Sequence, residues 1–478
     1  VGMRDLAILE SKERIRSCFK NIGLDFPVKR VLVNLSPADI KKKGSSFDLG
    51  IFLGILSNIG KIRNIENFKN YLILGEISLN GEVKSVKGAI NATILAKEKG
   101  IRGVIIPYEN YDEACLISGV EIVPVSRIEE AVSFLNGKIS LDELHKSMKE
   151  KMNLKKNEKS KKNREEKNVV DFSDVKGQFL AKRAMEIAAA GGHNIFLMGD
   201  PGSGKSMLAK RFVTILPEMS EKEIIETTKI YSISGMLSPD KPVITERPFR
   251  APHHSATQTA LVGGAIRAGE ITLALNGVFF MDELGEFGTR TLETLRQPLE
   301  DGSVTISRAN LIVNYPVNNI MIAASNPTPG GFFQDDPQCK DSLRDIKNYQ
   351  KKFSGPLLDR IDLYVEMRRL KKEEIFSECE SESSETVKER VIKAREIQKK
   401  RFNEDFLNGK MSRKQISEYC KIDSETKKVL ERAIDELKLS VRAYDKILKV
   451  SRTIADLEGS KNIKTEHLLE ALNYRKKY

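Results

Sequence analysis

The sequence predicts an α/β protein in four stretches: an α/β domain over residues 1–140, a charged linker over 141–168, a parallel-sheet nucleotide-binding core over 169–370, and a helical lid over 371–478. Three observations carry this. Gly199-Asp200-Pro201-Gly202-Ser203-Gly204-Lys205-Ser206 follows the phosphate-loop pattern G-x-x-x-x-G-K-[ST]. Val278-Phe279-Phe280-Met281 is an apolar run that ends in Asp282 and Glu283. Beyond residue 371 apolar residues recur at helical spacing between charged ones.

The phosphate loop has the flanks it needs. Ile195 to Met198 reads as a buried strand, and Met207 to Phe212 as a helix start. Glycines let the backbone curl so that N–H groups point at phosphate oxygens, and the helix adds its positive end. Lys205 reaches the β- and γ-phosphates of ATP, and the Ser206 hydroxyl ligates Mg²⁺. Asp282, on a strand beside this loop, completes the Mg²⁺ shell. Glu283 orients and polarises the attacking water. A solvated acidic strand end is the competing reading, and the phosphate loop weighs against it.

Residues 1–138 alternate helix and strand. Residues 12–21 are amphipathic, 31–35 (Val-Leu-Val-Asn-Leu) read as a strand, and 47–59 as an apolar helix after Gly44-Ser45-Ser46. Strands follow at 71–77, 104–107 and 121–125, with an Asn80-Gly81 turn and helices at 89–99 and 128–135. The helical pattern begins directly after Val1-Gly2-Met3, so the first domain is expected to lack an earlier part. Gly44 to Leu49 and Gly75 to Val83 resemble the proteolytic domain of Lon, where a lysine deprotonates a nucleophilic serine. The resemblance places Ser46 at the nucleophile, but Ile90 stands where the lysine belongs, two residues after Gly88, and Lys87 is out of register. A Lon-like fold without peptidase activity is therefore expected, with Ser46 a turn or cap residue.

Residues 149–167 are rich in Lys, Asn, Glu and Ser and poor in large apolar side chains, which predicts a solvated linker. The loop, the Asp282-Glu283 strand and the helix before them resemble the AAA+ superfamily. The stretches 188–194 (Ala-Ala-Ala-Gly-Gly-His-Asn), 249–255 (Phe-Arg-Ala-Pro-His-His-Ser), 269–271 and 354–362 narrow this to its magnesium-chelatase-like branch. Joined to a Lon-like domain, they resemble the YifB/ComM family over essentially the whole chain.

That resemblance implies further roles. Asn326, ending the apolar run 320–325, is the sensor of the γ-phosphate or water. Arg360 is an arginine finger acting on a neighbouring subunit, which implies a homo-hexameric ring. Arg442 is a lid-borne sensor; a surface arginine paired with Asp435 or Asp445 is its alternative. Two insertions are expected to face the pore. The first, over 242–267, carries Arg247, Arg250, His253, His254 and Arg267. The second is a hairpin over 304–313 with Arg308 at its turn. Arg308, Arg250 and Arg267 are the DNA-contact candidates, acting on phosphates rather than bases. The adjacent His253 and His254 are expected to serve in structural hydrogen bonding rather than as metal ligands. Relatives often carry two cysteine pairs after the sensor strand; here Thr328 and Gly330 replace the first, and only Cys339 remains of the second, followed by Asp341. One thiol cannot build a four-coordinate site, so no structural zinc is expected.

Composition sets the outer bounds. The net charge of +12 fits an anionic partner such as nucleic acid. The five scattered cysteines form no C-x-x-C pair and suit a reducing cytoplasm. No run is long and apolar enough to span a membrane, so no membrane partner is expected. The expected function is a ring ATPase coupling hydrolysis to DNA translocation or branch migration, during recombination in natural transformation and alongside recombination proteins. The alternative is a protein-remodelling ATPase like that of magnesium chelatase. An ATP-dependent protease is disfavoured by Ile90.

Overall fold

A computed structural model describes residues 6–28, 30–35, 44–160, 170–264, 267–308, 311–353, 355–370, 381–437 and 439–475. The chain forms two compact units. The first gathers Val1–Lys167, Ser220–Thr245 and Ser307–Ile312; the second gathers Asn168–Met219, Glu246–Ile306 and Val313–Tyr478.

In the first unit, β1 (Tyr71–Ile73), β4 (Gly103–Pro107) and β5 (Glu121–Val125) form a parallel sheet in the order β1-β4-β5, with the short antiparallel pair β2 (Glu76–Ile77) and β3 (Val83–Lys84) beside it in sequence. Every residue of β4 is buried, as expected for a central parallel strand with both faces covered. Helices Leu6–Asn21 and Asp48–Asn58 close one face through Phe19, Phe52 and Leu53.

Two expectations for this unit need correction. Residues 31–35 form no strand among the described residues, and Leu32 is 67% exposed. An apolar run becomes a strand only where another strand completes its ladder, and no sheet among the described residues includes residues 31–35. The segment expected as a linker begins instead as a long helix, Leu141–Ser160. Leu144 and Met148, four residues apart, bury its inner face. His145 Nε2 lies 2.9 Å from the Ile122 carbonyl of β5, and Lys151 Nζ donates to Glu130 at 2.8 Å. Residues 161–169 lie outside the described residues.

Ser220–Thr245 belongs with this first unit although its sequence neighbours belong with the second. Its helix Glu221–Ser234 starts at a Ser220/Glu223 capping box and ends at Gly235, whose φ of +67° is the left-handed stop. Glu113, 2% exposed, holds this helix. Ser232 Oγ donates to it at 2.5 Å, Asn110 Nδ2 at 2.6 Å and the Ile90 N–H at 3.4 Å. Ser232 Oγ also accepts the Gly88 N–H at 3.0 Å.

In the second unit, β6 (Ile195–Gly199), β7 (Phe249–Arg250), β8 (Val278–Met281), β11 (Ile320–Ser325) and β12 (Leu363–Met367) form one parallel sheet in the order β12-β6-β11-β8-β7. The acidic strand β8 is thus not the immediate neighbour of β6; β11 lies between them. All of β8 and β11 is buried, which explains their uninterrupted apolar runs. Between β8 and β11, β9 (Ser303–Arg308) and β10 (Leu311–Pro316) pair as a hairpin.

The C-terminal region is helical as predicted, with helices Ser384–Phe402, Arg413–Tyr419, Ser424–Leu437, Val441–Leu457 and Thr465–Asn473. Ser383, Ser412 and Ser440 cap three of them. These helices share one apolar core with the sheet and with helix Phe179–Gly191. A polar seam crosses that core. His193 Nδ1 lies 3.3 Å from Asp362 Oδ2, and its Nε2 lies 2.8 Å from Thr453 Oγ1. Lys446 Nζ lies 3.8 Å from Asp362 Oδ1 and donates to the Ile361 carbonyl at 2.7 Å.

Candidate nucleotide site

The parallel sheet brings three strand ends together. Gly199 closes β6, Asp282 and Glu283 follow β8, and Asn326 follows β11. Such carboxyl-end edges are where α/β sheets place ligands. A Cβ on Gly199 would meet the Met367 carbonyl at 2.2 Å, so only glycine lets β6 and β12 pass into the loop. Gly204, with φ +94°, supplies the left-handed turn into helix Lys205–Arg211.

Lys205 is 8% exposed. Its Nζ donates to the Gly199 carbonyl at 2.6 Å, the Asp200 carbonyl at 2.9 Å and Asn326 Oδ1 at 3.2 Å. Burial pushes its pKa down, against the opposing pull of Asp282, Asp200 and Glu283. The expected phosphate-binding lysine and the expected sensor therefore touch. Ser206 Oγ donates to Asp282 Oδ2 at 2.6 Å, which joins the two expected Mg²⁺ ligands across the sheet. The Ser203 hydroxyl and Asp200 Oδ1 are buried with no hydrogen-bond partner among the described residues. Orphaned polar atoms in a glycine-lined cradle beside a buried cation fit a polyphosphate ligand with its Mg²⁺.

Glu283 has φ +50°, the left-handed region that non-glycine residues rarely enter. That strain lifts its side chain off the line of β8, leaving it 61% exposed. Its Oε2 lies 3.5 Å from His254 Nδ1. His253 Nδ1 takes the Ser255 N–H at 3.3 Å and lies 2.8 Å from Ser255 Oγ. His253 thus bonds locally to Ser255, while His254 faces the acid. Sequence reasoning missed this pairing, because nothing in residues 249–255 reveals where that loop lies relative to β8.

The two implied arginines also converge. The Arg360 side chain is 7% exposed and Nη2 donates to Glu300 Oε2. Arg442 Nη2 lies 3.8 Å from Glu300 Oε1 and Nη1 lies 3.9 Å from Asp359 Oδ2. Asp445, offered as the partner in the surface reading of Arg442, pairs instead with Arg413.

Arg250 makes a two-pronged bond to Glu270 at 2.6 and 2.7 Å, so its charge is already engaged. Arg247 is spent on the carbonyls of Pro217 and Asn276, both at 2.6 Å. Arg267 is exposed. Arg308 ends β9, and the turn residues Ala309 and Asn310 lie outside the described residues.

The loop after β11 is held by hydrogen bonds and an ion pair. Gly330 N donates to Asp341 Oδ2 at 2.7 Å, Thr328 Oγ1 to the Phe332 carbonyl at 2.8 Å, and Arg368 Nη1 to Asp335 Oδ2 at 2.8 Å. Among the described residues no group of three or more His, Cys, Asp or Glu could hold a metal ion. No described helix is long and apolar enough to cross a membrane.

Comparison with known proteins gives the family of the chain. Residues 171–375 match the family described as magnesium chelatase, subunit ChlI; 381–475 match its C-terminal region; and 1–110 match the description subunit ChlI of Mg-chelatase. The competence protein ComM of Haemophilus influenzae is 42% identical over 99% of this chain and 91% of its own length. The uncharacterized protein YifB of Escherichia coli is 39% identical over 99% of this chain and 90% of its own. The DNA replication licensing factor mcm6 of Dictyostelium discoideum is 24% identical over 59% of this chain and 27% of its own length. Full-length similarity and three family matches, laid over an assembled phosphate loop and its acidic strand, show that this chain belongs to the YifB/ComM family of magnesium-chelatase-like AAA+ ATPases.

Proposed function

We propose that this chain is the subunit of a homo-hexameric ring that couples ATP hydrolysis to movement of DNA, with branch migration of recombination intermediates as its task. The observation that carries the ATPase half is the joined cluster of Lys205, Ser206, Asp282 and Asn326 at the sheet edge. In this reading the loop Gly199–Ser206 grips the phosphates, and Lys205 exchanges its carbonyl partners for phosphate oxygens. Ser206 and Asp282 hold Mg²⁺, which when bound supplies charge neutralisation at the β- and γ-phosphates. Glu283 takes the proton of the attacking water, and Asn326 hydrogen-bonds that water or the γ-phosphate. Arg360 and Arg442 stabilise the charge that develops in the transition state.

The DNA half rests on the net charge of +12, on the β9–β10 hairpin with Arg308 and on the exposed Arg267. The competence role in the name of the Haemophilus relative points the same way, as does the replication role in the name of the Dictyostelium one. Cytoplasmic work in recombination follows from that reading. The N-terminal unit is Lon-like without peptidase chemistry: Ile90, at the position of the general base, is 0% exposed and carries no amine.

The test is steady-state ATP hydrolysis with and without four-way DNA, for the wild type and Glu283→Gln. Stimulation by DNA that vanishes in the variant supports the reading. Hydrolysis indifferent to every DNA structure moves the assignment to a protein-remodelling ring.

A further inference from the structure

We propose that Glu300 is a positioning residue that holds Arg360 and Arg442 and ties both to the root of the β9–β10 hairpin. The proposal rests on the reading of Arg360 as a transition-state arginine. The starting observation is an imbalance of exposure: the Arg360 side chain is 7% exposed, that of Glu300 49%. A guanidinium so far from water needs an anion to offset its lost hydration. Glu300 reaches in from the half-exposed side and supplies one. Its other oxygen faces Arg442, 3.8 Å away, and Asp359 stands on the far side of Arg442 at 3.9 Å. The Arg360 and Arg442 guanidinium groups thus face the Glu300 and Asp359 carboxylates, and the charge of Arg296 also acts on Glu300. The hydrogen bond and charge of Arg360, then Arg442, hold the Glu300 carboxyl below its ordinary pKa.

The main chain of Arg360 is fixed independently. Asn194 Nδ2 donates to the Arg360 carbonyl at 3.0 Å, while Asn194 Oδ1 accepts the Met321 N–H of β11 at 2.9 Å. The sheet therefore sets where Arg360 begins, and Glu300 sets where its guanidinium points. Glu300 sits on the short helix Arg296–Asp301. Gly302, with φ +65°, turns that helix directly into β9. A polyanion that pulls on the hairpin pulls on the carboxylate three residues before it. The guanidinium can then exchange the Glu300 carboxylate, which mimics a phosphate oxygen, for a phosphate. Glu300 acts on hydrolysis only through the arginines.

The experiment is a double-variant cycle on ATP hydrolysis with wild type, Glu300→Gln, Arg360→Ala and both together. Each single variant is expected to lower kcat about tenfold or more with KM changed less than about threefold. The double variant is expected to be no slower than Arg360→Ala, because both act through one guanidinium. Multiplying losses, or a wild-type rate in Glu300→Gln beside a slow Arg360→Ala, would overturn the proposal alone. A wild-type rate in Arg360→Ala would overturn the arginine reading and the proposal together. Should Glu300→Gln melt early, Glu300→Asp keeps the charge but withdraws it by a methylene. Native melting with reduced kcat then supports the proposal, and native melting with wild-type kcat refutes it. With four-way DNA, the stimulation ratio of Glu300→Gln is expected to fall toward one. A wild-type ratio removes the link to the hairpin. A wild type that DNA never stimulates removes the DNA reading, and the cycle still decides the positioning role.

Discussion

Lys205 in the second unit and Glu113 in the first are both buried charged side chains, and they are held in opposite ways. Lys205, 8% exposed, is surrounded by neutral oxygens: two main-chain carbonyls and the Asn326 amide oxygen. No anion bonds its ammonium directly among the described residues, so a phosphate that arrives there adds compensation the protein does not supply. Glu113, 2% exposed, is closed in by three donors: a hydroxyl, an amide N–H₂ and a main-chain N–H. A ligand has little left to offer it. Buried charge alone therefore does not mark a site. What marks one is a buried charge whose partners are weaker than the ligand and exchangeable for it. By that standard the second unit holds a binding site and the first holds a latch.

The sharpest way to break this contrast is to remove the ammonium. Lys205→Ala is expected to lower ATP hydrolysis by ~10³-fold, by analogy with the loss of a single preorganised charge at a transition state. Ser46→Ala in the first unit is expected to leave hydrolysis unchanged. Phosphate release by both variants checks the pair, and comparable losses would erase the distinction.

Next in size is the polar seam under the lid. Burial opposes ionisation of Asp362, but the His193 hydrogen bond and the charge of Lys446 outweigh it and hold its pKa at about 2. A depressed carboxylate stabilises the fold above its unfolded pKa, and this contribution is lost as pH falls through about 2. Asp362→Asn leaves Lys446 facing a neutral group and is expected to cost ~3–5 kcal/mol, as when a buried pair loses one member. Denaturant melts at neutral pH measure the loss. The gap to wild type should narrow in acid, and a constant gap would refute the electrostatic account.

The latch should yield a smaller effect. Ser232→Ala strips one donor from Glu113 and is expected to destabilise the first unit by ~1–3 kcal/mol. Burial raises the Glu113 pKa, so the ionised form is the costly one. The loss should therefore grow as pH rises through the folded pKa and shrink below the unfolded value, in the same sense as the Asp362 gap although the Glu113 pKa is raised rather than lowered. Hydrogen exchange of helix Glu221–Ser234 against pH reads it.

The smallest expected effect is none. The loop after β11 is held by the Gly330–Asp341 and Asp335–Arg368 contacts, so a zinc chelator should leave the melting temperature unchanged. A lowered midpoint, restored by zinc, would show that a metal staple persists.

Much of this was legible in residue order. The phosphate loop, the acidic end of β8, the asparagine after β11 and most helices of the lid are local signals, since each depends on a short run meeting one backbone geometry. Where reading failed, the cause was non-local. Residues 31–35 have strand chemistry but join no sheet among the described residues, and residues 141–160 look solvated until Leu144 and Met148 find an apolar face. Ser220–Thr245 carries no mark in its own sequence of the unit it joins.

The sequence by itself determined the chemistry available: which strand ends carry an ammonium, a hydroxyl, two carboxylates and an amide. Only the tertiary structure decided which of these meet. Strand order put β11 rather than β8 beside β6, so that Asn326 touches Lys205 while Ser206 spans to Asp282. It also set His254 against Glu283 and Glu300 against two arginines remote in the chain. The reason is physical. Covalent order fixes each residue's type and local backbone, whereas pairings between distant side chains are selected by the burial and hydrogen bonding of the whole sheet and its helices.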